Sequence, residues 1–382
     1  MYVRDLKIVL ERYSQYYPVI GITGPRQSGK TTLSKLVFPH LPYVSLENMD
    51  IRLQAQNDPR SFLKQYGEGA IFDEIQHVPD LLSYLQQIVD ESPIKGRFVL
   101  TGSQNFALNQ LITQSLSGRI GMTTLQPLSL KELGMPEYSL NSIFRGGYPG
   151  LHQLNMDPLD FYPSYIQTYI ERDVRQLKNI ENFGRFQTFL KLCAGRVGQT
   201  INLSSLAQDA GVSHTTVRQW LNILEASYLI FFLQPYYNNF SKRLIKMPKL
   251  YFYDTGLVCS LLNLEKESQL ESHYLKGALF ENLVILEFMK NRLNQGLMPN
   301  LYFWRDQTGH EIDLISDWGG ELQAIEIKSA ETFQKEYIKN MEYFHKLSQI
   351  PKSYLIYTGQ QQGMYNGVEL VPLSKIYGTI IS

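Results

Sequence analysis

Residues Gly24-Pro-Arg-Gln-Ser-Gly-Lys-Thr31 fit the spacing G-x-x-x-x-G-K-[ST]. The glycines let a loop curl so that its main-chain N–H groups face inward, the geometry that holds a phosphate chain. A helix starting at the end of the loop adds the partial positive charge of its N-terminus. In such a loop Lys30 bridges the β- and γ-phosphates and the Thr31 hydroxyl ligates Mg²⁺. The expected nucleotide-binding residues are therefore Gly24, Pro25, Arg26, Gln27, Ser28, Gly29, Lys30, Thr31 and Thr32.

A second pattern serves the same chemistry. Ala70-Ile-Phe-Asp-Glu74 is an apolar strand ending in two acids. Asp73 is expected to hold Mg²⁺ with Thr31, through water, and Glu74 to polarise the water that attacks the γ-phosphate. Phe98-Val-Leu-Thr-Gly-Ser-Gln104 is another strand with a small polar exit. In ATPases with an acid beside the metal-binding Asp, such a strand lies between the loop strand and the acid strand and carries a γ-phosphate sensor. Ser103 is the expected sensor and Gln104 the alternative. A guanidinium is also wanted for the charge on the γ-phosphoryl group. Arg119 in Leu116-Ser-Gly-Arg119 is the first candidate, followed by Arg145 and by Arg172 in Glu171-Arg-Asp173. Each has an ordinary structural ion pair as its competing reading, and a finger acting in trans requires an oligomer.

The elements that must position these groups follow from periodicity. Residues Met1–Tyr17 show helical spacing up to Pro18. Val19–Thr23 reads as a buried parallel strand, Lys30–Val37 as a helix, Tyr43–Leu46 and Gly69–Phe72 as strands, Leu81–Val89 as a helix and Arg97–Thr101 as a strand. Alternation of this kind predicts a parallel sheet with helices on both faces over residues 1–150, closed by the turn-rich Arg145-Gly-Gly-Tyr-Pro-Gly150. From Pro158 to about Leu177 and over Phe183–Val197 the pattern is helical. Leu203–Ala210, the turn Gly211–Ser213 and His214–Ala226 then precede strand-like Tyr228–Tyr236 and Lys249–Tyr253, a winged helix-turn-helix order. This middle region spans 151–265. A third unit, 266–382, has an amphipathic helix at Gly277–Asn291, strands at Leu301–Arg305, Glu311–Ile315, Gln323–Lys328 and Ser353–Tyr357, and a helix at Phe333–Leu347.

With these residues in hand, the chain resembles a family of prokaryotic AAA-type ATPases. There an AAA-like P-loop domain is joined to a winged helix and to a C-terminal domain related to the restriction-endonuclease fold. The resemblance covers nearly the whole chain and rests on Gly24–Thr31, Ile71–Gln76, Leu100–Ser103, Ser117–Arg119, Arg145–Gly150, Tyr169–Asp173, Tyr251–Gly256, Gly277–Glu281, Trp304–Asp313 and Glu326–Lys328. It implies an AAA-like fold, a preference for ATP, and ATPase activity. It supplies no substrate beyond the nucleotide.

Two further constellations remain. Glu281 on a helix, Asp313 at the end of an apolar strand, and Glu326 with Lys328 on one strand face have the order of PD-(D/E)xK nucleases. In those enzymes acids hold a second Mg²⁺ or Mn²⁺ and the lysine activates water. The competing readings are a solvated Glu/Lys edge and an idle nuclease fold that serves as an interaction platform. On the expected recognition helix, Ser213 is the N-cap, while His214, Thr215, Thr216, Arg218 and Gln219 face outward. Lys242, Arg243, Lys246 and Lys249 lie on or beside the wing. Trp220, Leu221 and Leu224 form the core face. DNA is the partner this patch suggests, and packing on the nucleotide domain or on a partner is the alternative.

Composition bounds the rest. The chain has 382 residues, 36 Lys plus Arg against 36 Asp plus Glu, and a 43% hydrophobic fraction. Zero net charge gives no global pull toward nucleic acid or an anionic membrane. No apolar run reaches the roughly 18 residues of a membrane span, and Met1–Arg12 has no apolar signal core. Cys193 and Cys259 read as buried thiols in a reducing compartment, so a cytoplasmic location is expected. The leading functional reading is a Mg²⁺-dependent ATP-hydrolysing switch that acts on a partner. The alternatives are a nucleotide-gated nuclease and a slowly turning ATP-binding scaffold.

Overall fold

The computed structural model describes residues 2–103, 115–134, 139–170, 183–236, 246–348, 350 and 352–381. They form two compact units. One comprises Met1–Leu128, Ala226–Tyr228 and Arg292–Leu297; the other comprises Ser129–Glu225, Leu229–Asn291 and Met298–Ser382. The first unit thus ends before the expected boundary at 150.

Five strands of the first unit are β1 (Val19–Thr23), β2 (Tyr43–Ser45), β3 (Ala70–Asp73), β4 (Phe98–Thr101) and β5 (Ile120–Thr124). They run parallel in the order β2-β3-β4-β1-β5, so β4 lies between β1 and β3 as expected. Side chains alternate between faces, as a strand requires. Ile20, Ile22, Ile71 and Val99 pack with Leu6, the cap of α1 (Lys7–Tyr13), with Leu10 of that helix and with Leu33 of α2 (Lys30–Val37). Val19, Phe72, Phe98 and Leu100 pack with Ala55 of α3 (Met49–Asn57), Phe62 of α4 (Pro59–Lys64) and Leu85 of α5 (Leu81–Glu91). Both faces are covered. Helix α1 is shorter than the Met1–Tyr17 periodicity suggested, and α3, α4 and β5 were not expected.

The strands of the second unit are β6 (Ile230–Pro235), β7 (Lys249–Phe252), β8 (Leu301–Arg305), β9 (Glu311–Trp318), β10 (Glu321–Lys328), β11 (Lys352–Tyr357), β12 (Gly363–Tyr365) and β13 (Val368–Pro372). They form one mixed sheet in the order β12-β13-β11-β10-β9-β8-β6-β7. Helices Leu203–Ala210 and His214–Ala226 meet at Gly211, whose φ of +63° favours glycine. β6 and β7 pair antiparallel, as wing strands would, but β6 also pairs in parallel with β8. The strands before residue 266 therefore share a sheet with those after it.

Helix Lys276–Asn294 departs from the amphipathic expectation, since Leu279, Phe280 and every residue from Asn282 to Arg292 is buried. Two of its buried polar side chains, Asn282 and Glu287, are held by partners from other segments. Asn282 accepts from Phe252 N at 2.9 Å and donates to Phe252 O at 2.8 Å. Glu287 accepts from Leu130 N at 2.8 Å and Tyr377 O–H at 2.6 Å, with the Lys290 ammonium 3.2 Å away.

The turn-rich Arg145–Gly150 segment is an internal joint of the second unit, where it meets Asp254. The Asp254 carboxylate accepts from Gly147 N (2.7 Å), the Tyr162 hydroxyl (2.7 Å) and Leu257 N (2.9 Å), the last as N-cap of helix Thr255–Leu261. Gly146 has φ +64°, and a Cβ there would sit 2.3 Å from both Asp254 Oδ1 and Tyr162 Oη. Asp254 is 2% exposed, and burial raises its pKa despite these donors. Replacing Asp254 with Ala should cost about 3 kcal/mol, because three buried donors lose their acceptor. Urea unfolding of the full chain measures this; a loss under about 0.5 kcal/mol would refute the joint.

Candidate functional site

The loop after β1 curls through left-handed backbone at Gln27 (φ +60°) and Gly29 (φ +95°), alternating with ordinary turns, which aims main-chain amides at a common point. Gly24 has φ +138°, and a Cβ there would lie 2.1 Å from the Leu125 carbonyl oxygen. Only glycine passes. Lys30 opens α2 directly after Gly29, is 6% exposed, and donates to the carbonyls of Gly24 (3.0 Å) and Pro25 (2.8 Å). Its ammonium is thus held within the curl of the loop.

Asp73 ends β3 and is 6% exposed. Its Oδ2 accepts from the Thr31 hydroxyl at 3.0 Å and from the Tyr43 hydroxyl at 2.6 Å, and its Oδ1 from the Thr101 hydroxyl. Burial and the Asp73 carboxylate raise the Tyr43 pKa far above the ordinary phenol value, so Tyr43 stays a donor at neutral pH. Glu74 follows with φ +56°, a left-handed turn that swings its side chain away from that of Asp73. Its Oε2 accepts from the Ser103 hydroxyl at 3.0 Å and from the Gln76 amide. The structure therefore gathers Lys30, Thr31, Asp73, Glu74 and Ser103 on one edge of the sheet. Thr31 and Asp73 offer hard oxygens side by side, the donor set that suits Mg²⁺, which usually takes few protein ligands and completes its shell with phosphate and water. Burial and the Arg52 guanidinium hold His77, three residues after Glu74, below its ordinary pKa.

Three contributors had no signal in the sequence motifs. Thr101 and Tyr43 sit on neighbouring strands and steady Asp73. Arg4, 7% exposed, donates to the carbonyl of Ser28 in the loop (2.7 Å) and to that of Gln126 beyond β5 (2.6 Å). A lone arginine far upstream cannot be paired with that loop from spacing alone.

Arg119 is a correction. Its carbonyl accepts from Val19 N, so it lies at the start of β1, the opposite end of that strand from Gly24. Its guanidinium makes a double bond pair with Asp90, at 2.5 and 2.9 Å. Four strand steps of about 3.3 Å each keep it from the phosphate loop of its own chain. Arg145 donates to the carbonyls of Leu151 (3.5 Å) and Met156 (3.3 Å), bracing its own turn. Gln104, Arg172, Lys242 and Arg243 lie outside the described residues.

The second unit brings Glu281, Asp313, Glu326 and Lys328 into one cluster, with an addition. Lys328 lies 3.2 Å from Asp313 and 2.6 Å from Glu326, and Ile327 N donates to Asp313 at 2.8 Å. Burial and the Asp313 carboxylate push the Glu326 pKa well up. Lys249, expected as part of an exposed basic patch, is 3% exposed and pairs with Glu281 (2.9 Å) and Glu311, and Tyr251 O–H donates to Glu281. Burial works against the Lys249 charge, but Glu281, Tyr251 and Glu311 outweigh it and raise its pKa. With ammonium groups already seated among these acids, the described residues hold no group of three or more His, Cys, Asp or Glu arranged for a metal ion. In this arrangement the ammonium groups of Lys249 and Lys328 supply the charge that a second Mg²⁺ or Mn²⁺ would bring.

On helix His214–Ala226, His214, Thr215, Arg218 and Gln219 are exposed and Thr216 half-buried. Ser213 caps it, accepting from Thr216 N at 3.1 Å. Val217, Trp220, Leu221 and Leu224 are buried, and Trp220 packs edge-on against Phe186 and Phe189. Cys193 and Cys259 are free and buried. None of the described helices is long and apolar enough to cross a membrane.

Comparison with known proteins matches residues 16–134 to an AAA domain, 137–268 to a domain of unknown function (DUF8612) and 276–376 to a second (DUF4143). The uncharacterized protein Mb2031c of Mycobacterium bovis and the uncharacterized protein Rv2008c of Mycobacterium tuberculosis are each 32% identical over 333 residues, covering 86% of this chain and 74% of theirs. Among solved structures, the Walker-type ATPase PABY2304 of Pyrococcus abyssi is 17% identical, with 67% of this chain and 94% of that one covered and a TM-score of 0.46. AMPPCP-bound DnaA from Aquifex aeolicus is 14% identical, with 58% and 85% covered and a TM-score of 0.30.

Removing the Arg4 guanidinium (Arg4→Ala) should weaken nucleotide binding about tenfold, the size of one or two charge-assisted hydrogen bonds that shape the loop. Competition against a fluorescent nucleotide reads this out. An affinity equal to that of the wild type would show the loop to be shaped without Arg4.

Proposed function

The chain belongs to the family of the mycobacterial proteins Mb2031c and Rv2008c and carries an AAA domain over residues 16–134, and from that premise we propose that it binds ATP with Mg²⁺ and hydrolyses it to switch how its second unit engages a partner. The observation that carries this reading is the meeting of Lys30, Thr31, Asp73, Glu74 and Ser103 at the C-terminal ends of the sheet's strands.

In this reading the loop amides and Lys30 hold the β- and γ-phosphates. Mg²⁺, when bound at Thr31 and Asp73, neutralises phosphate charge. Tyr43 and Thr101 keep Asp73 oriented by donating to it. Glu74 accepts a proton as the oxygen of water bonds to the γ-phosphorus and the bond to the bridging oxygen breaks, giving ADP and inorganic phosphate. Ser103 ties Glu74 to the strand that senses the γ-phosphate.

For the second unit, the exposed face of helix His214–Ala226 favours DNA as the partner: a capped helix presenting His214, Thr215 and Arg218 to solvent. Binding that weakens steeply with added salt would support phosphate contacts, and affinity flat in salt would oppose them. A metal-dependent nuclease is the second reading, favoured by Lys328 lying between Asp313 and Glu326 on neighbouring strands. It requires the Lys249 and Lys328 pairs to open. Plasmid nicking with Mn²⁺, abolished in Asp313→Ala, would support it; intact plasmid under all conditions would dismiss it.

The central test is a pair of variants. Glu74→Gln should bind ATP as the wild type does while kcat falls about 100- to 10,000-fold, the usual contribution of a general base. Lys30→Ala should lose nucleotide binding. Phosphate release and equilibrium binding measure both. Undiminished turnover in Glu74→Gln would remove that acid from the reaction.

A further inference from the structure

Arg26 lies inside the phosphate loop and is 9% exposed, and its guanidinium stands 3.6 Å from the carboxylate of Glu47. The two residues leave the sheet from different strands: the loop follows β1, and Glu47 follows β2. Between those strands lie β4 and β3. Three inter-strand steps of about 4.8 Å, roughly 14 Å in all, must therefore be spanned by the loop and the two side chains.

The span crosses chemically important ground. β4 leads to Ser103 and β3 to Asp73 and Glu74, and Ser103 donates to Glu74 at 3.0 Å. Leu46 N donates to Asp73 O at 3.0 Å, which puts Glu47 just beyond the level of Glu74 on the adjacent strand. Arg52 in turn donates to the Glu47 carbonyl at 3.0 Å, fixing the backbone that carries the carboxylate. The Arg26–Glu47 bridge thus runs over the strand ends where the attacking water and the γ-phosphoryl group belong in the reading above. Meanwhile the remaining arginine candidates within the described residues, Arg119 and Arg145, are engaged elsewhere.

We propose that Arg26 is the catalytic arginine of this site in cis, held by Glu47 and transferring its guanidinium to the γ-phosphoryl oxygens of ATP. The inference rests on the ATPase reading and deepens it. Arginine suits the role because its planar fork meets two oxygens of one phosphoryl group at once and remains charged at any working pH. Glu47, half-exposed, is a partner that can be exchanged, since an ion pair open to water is worth little. The γ-phosphoryl group offers more charge, and more as the transition state forms. ADP lacks that group, so Arg26 distinguishes the two nucleotides.

The experiment uses the full-length protein and its Arg26→Ala, Arg26→Lys and Glu47→Gln variants. Affinities for Mg²⁺–ADP and for a Mg²⁺-bound non-hydrolysable ATP analogue are measured alongside ATP turnover. In Arg26→Ala, ADP affinity should stay within about threefold of wild type, the analogue should weaken about tenfold, and kcat should fall about 100-fold or more. Arg26→Lys keeps the charge without the fork, so its kcat should fall about tenfold or more; if Arg26→Ala fails to fold, this variant decides. Glu47→Gln removes the competing carboxylate and should bind the analogue at least as tightly as wild type. Equal weakening of ADP and analogue would make Arg26 a structural part of the loop and overturn the proposal, as would a wild-type kcat in both Arg26 variants. Wild-type protein unable to bind or hydrolyse ATP would instead refute the ATPase reading itself.

Discussion

The hydrogen bond between Thr31 and Asp73, 3.0 Å long, joins the helix that follows β1 to the end of β3, a strand that is not a neighbour of β1 in the sheet. It can form because β4 stands between β1 and β3, all run the same way, and their ends are level. Parallel strands buried on both faces by α1, α2 and α3–α5 fix that alignment rigidly. The phosphate loop then has one route, back across the sheet edge against Leu125, and Gly24 is the residue that makes the route passable. Once this edge is set, the remaining groups need little further arrangement. Tyr43 and Thr101 reach Asp73 from the flanking strands, and Ser103 reaches Glu74 from β4.

The second unit shows the same residue types under a different constraint. Asp313, Glu326 and Glu281 lie in one cluster, and Lys328 and Lys249 sit among them as internal counter-ions. Buried carboxylates need a compensating charge, and whether an ion or a lysine supplies it decides the chemistry available. Here the lysine comes from β7, and its partners come from helix Lys276–Asn294 and from β9, so the same pairs that neutralise the acids also tie these elements together.

Much of the first unit was legible because its elements announce themselves locally. Val19–Thr23 is an unbroken apolar run before a glycine, and Lys30–Val37 follows the loop; both matched to the residue. β3 begins one residue late because Gly69 has φ +118°, which no strand accommodates. β5, Ile120-Gly-Met-Thr-Thr124, was invisible since small and hydroxyl side chains hide its alternation, and α3 carries only one buried apolar residue, Ala55. The acids and Ser103 could be assigned to one site because ATPases with an acid beside the metal-binding Asp place such a strand between the loop strand and the acid strand, as β4 lies here. Lys249 was misread because it closes a run of basic residues in the sequence, whereas its acidic partners lie 32 and 62 residues downstream. Long-range pairing also hid Arg4 and made Arg119 look available. Helix Lys276–Asn294 misled for a related reason: Asn282 and Glu287 meet partners from other segments rather than water.

The account stands on main-chain amides of residues 24–31 caging a triphosphate. Hydrogen–deuterium exchange of those amides, with and without ATP analogue and Mg²⁺, addresses this directly. The account predicts strong slowing across residues 24–31 when both are present, and weaker slowing when Mg²⁺ is withheld. Exchange in that loop unchanged by nucleotide, with any protection appearing elsewhere in the chain, would contradict it.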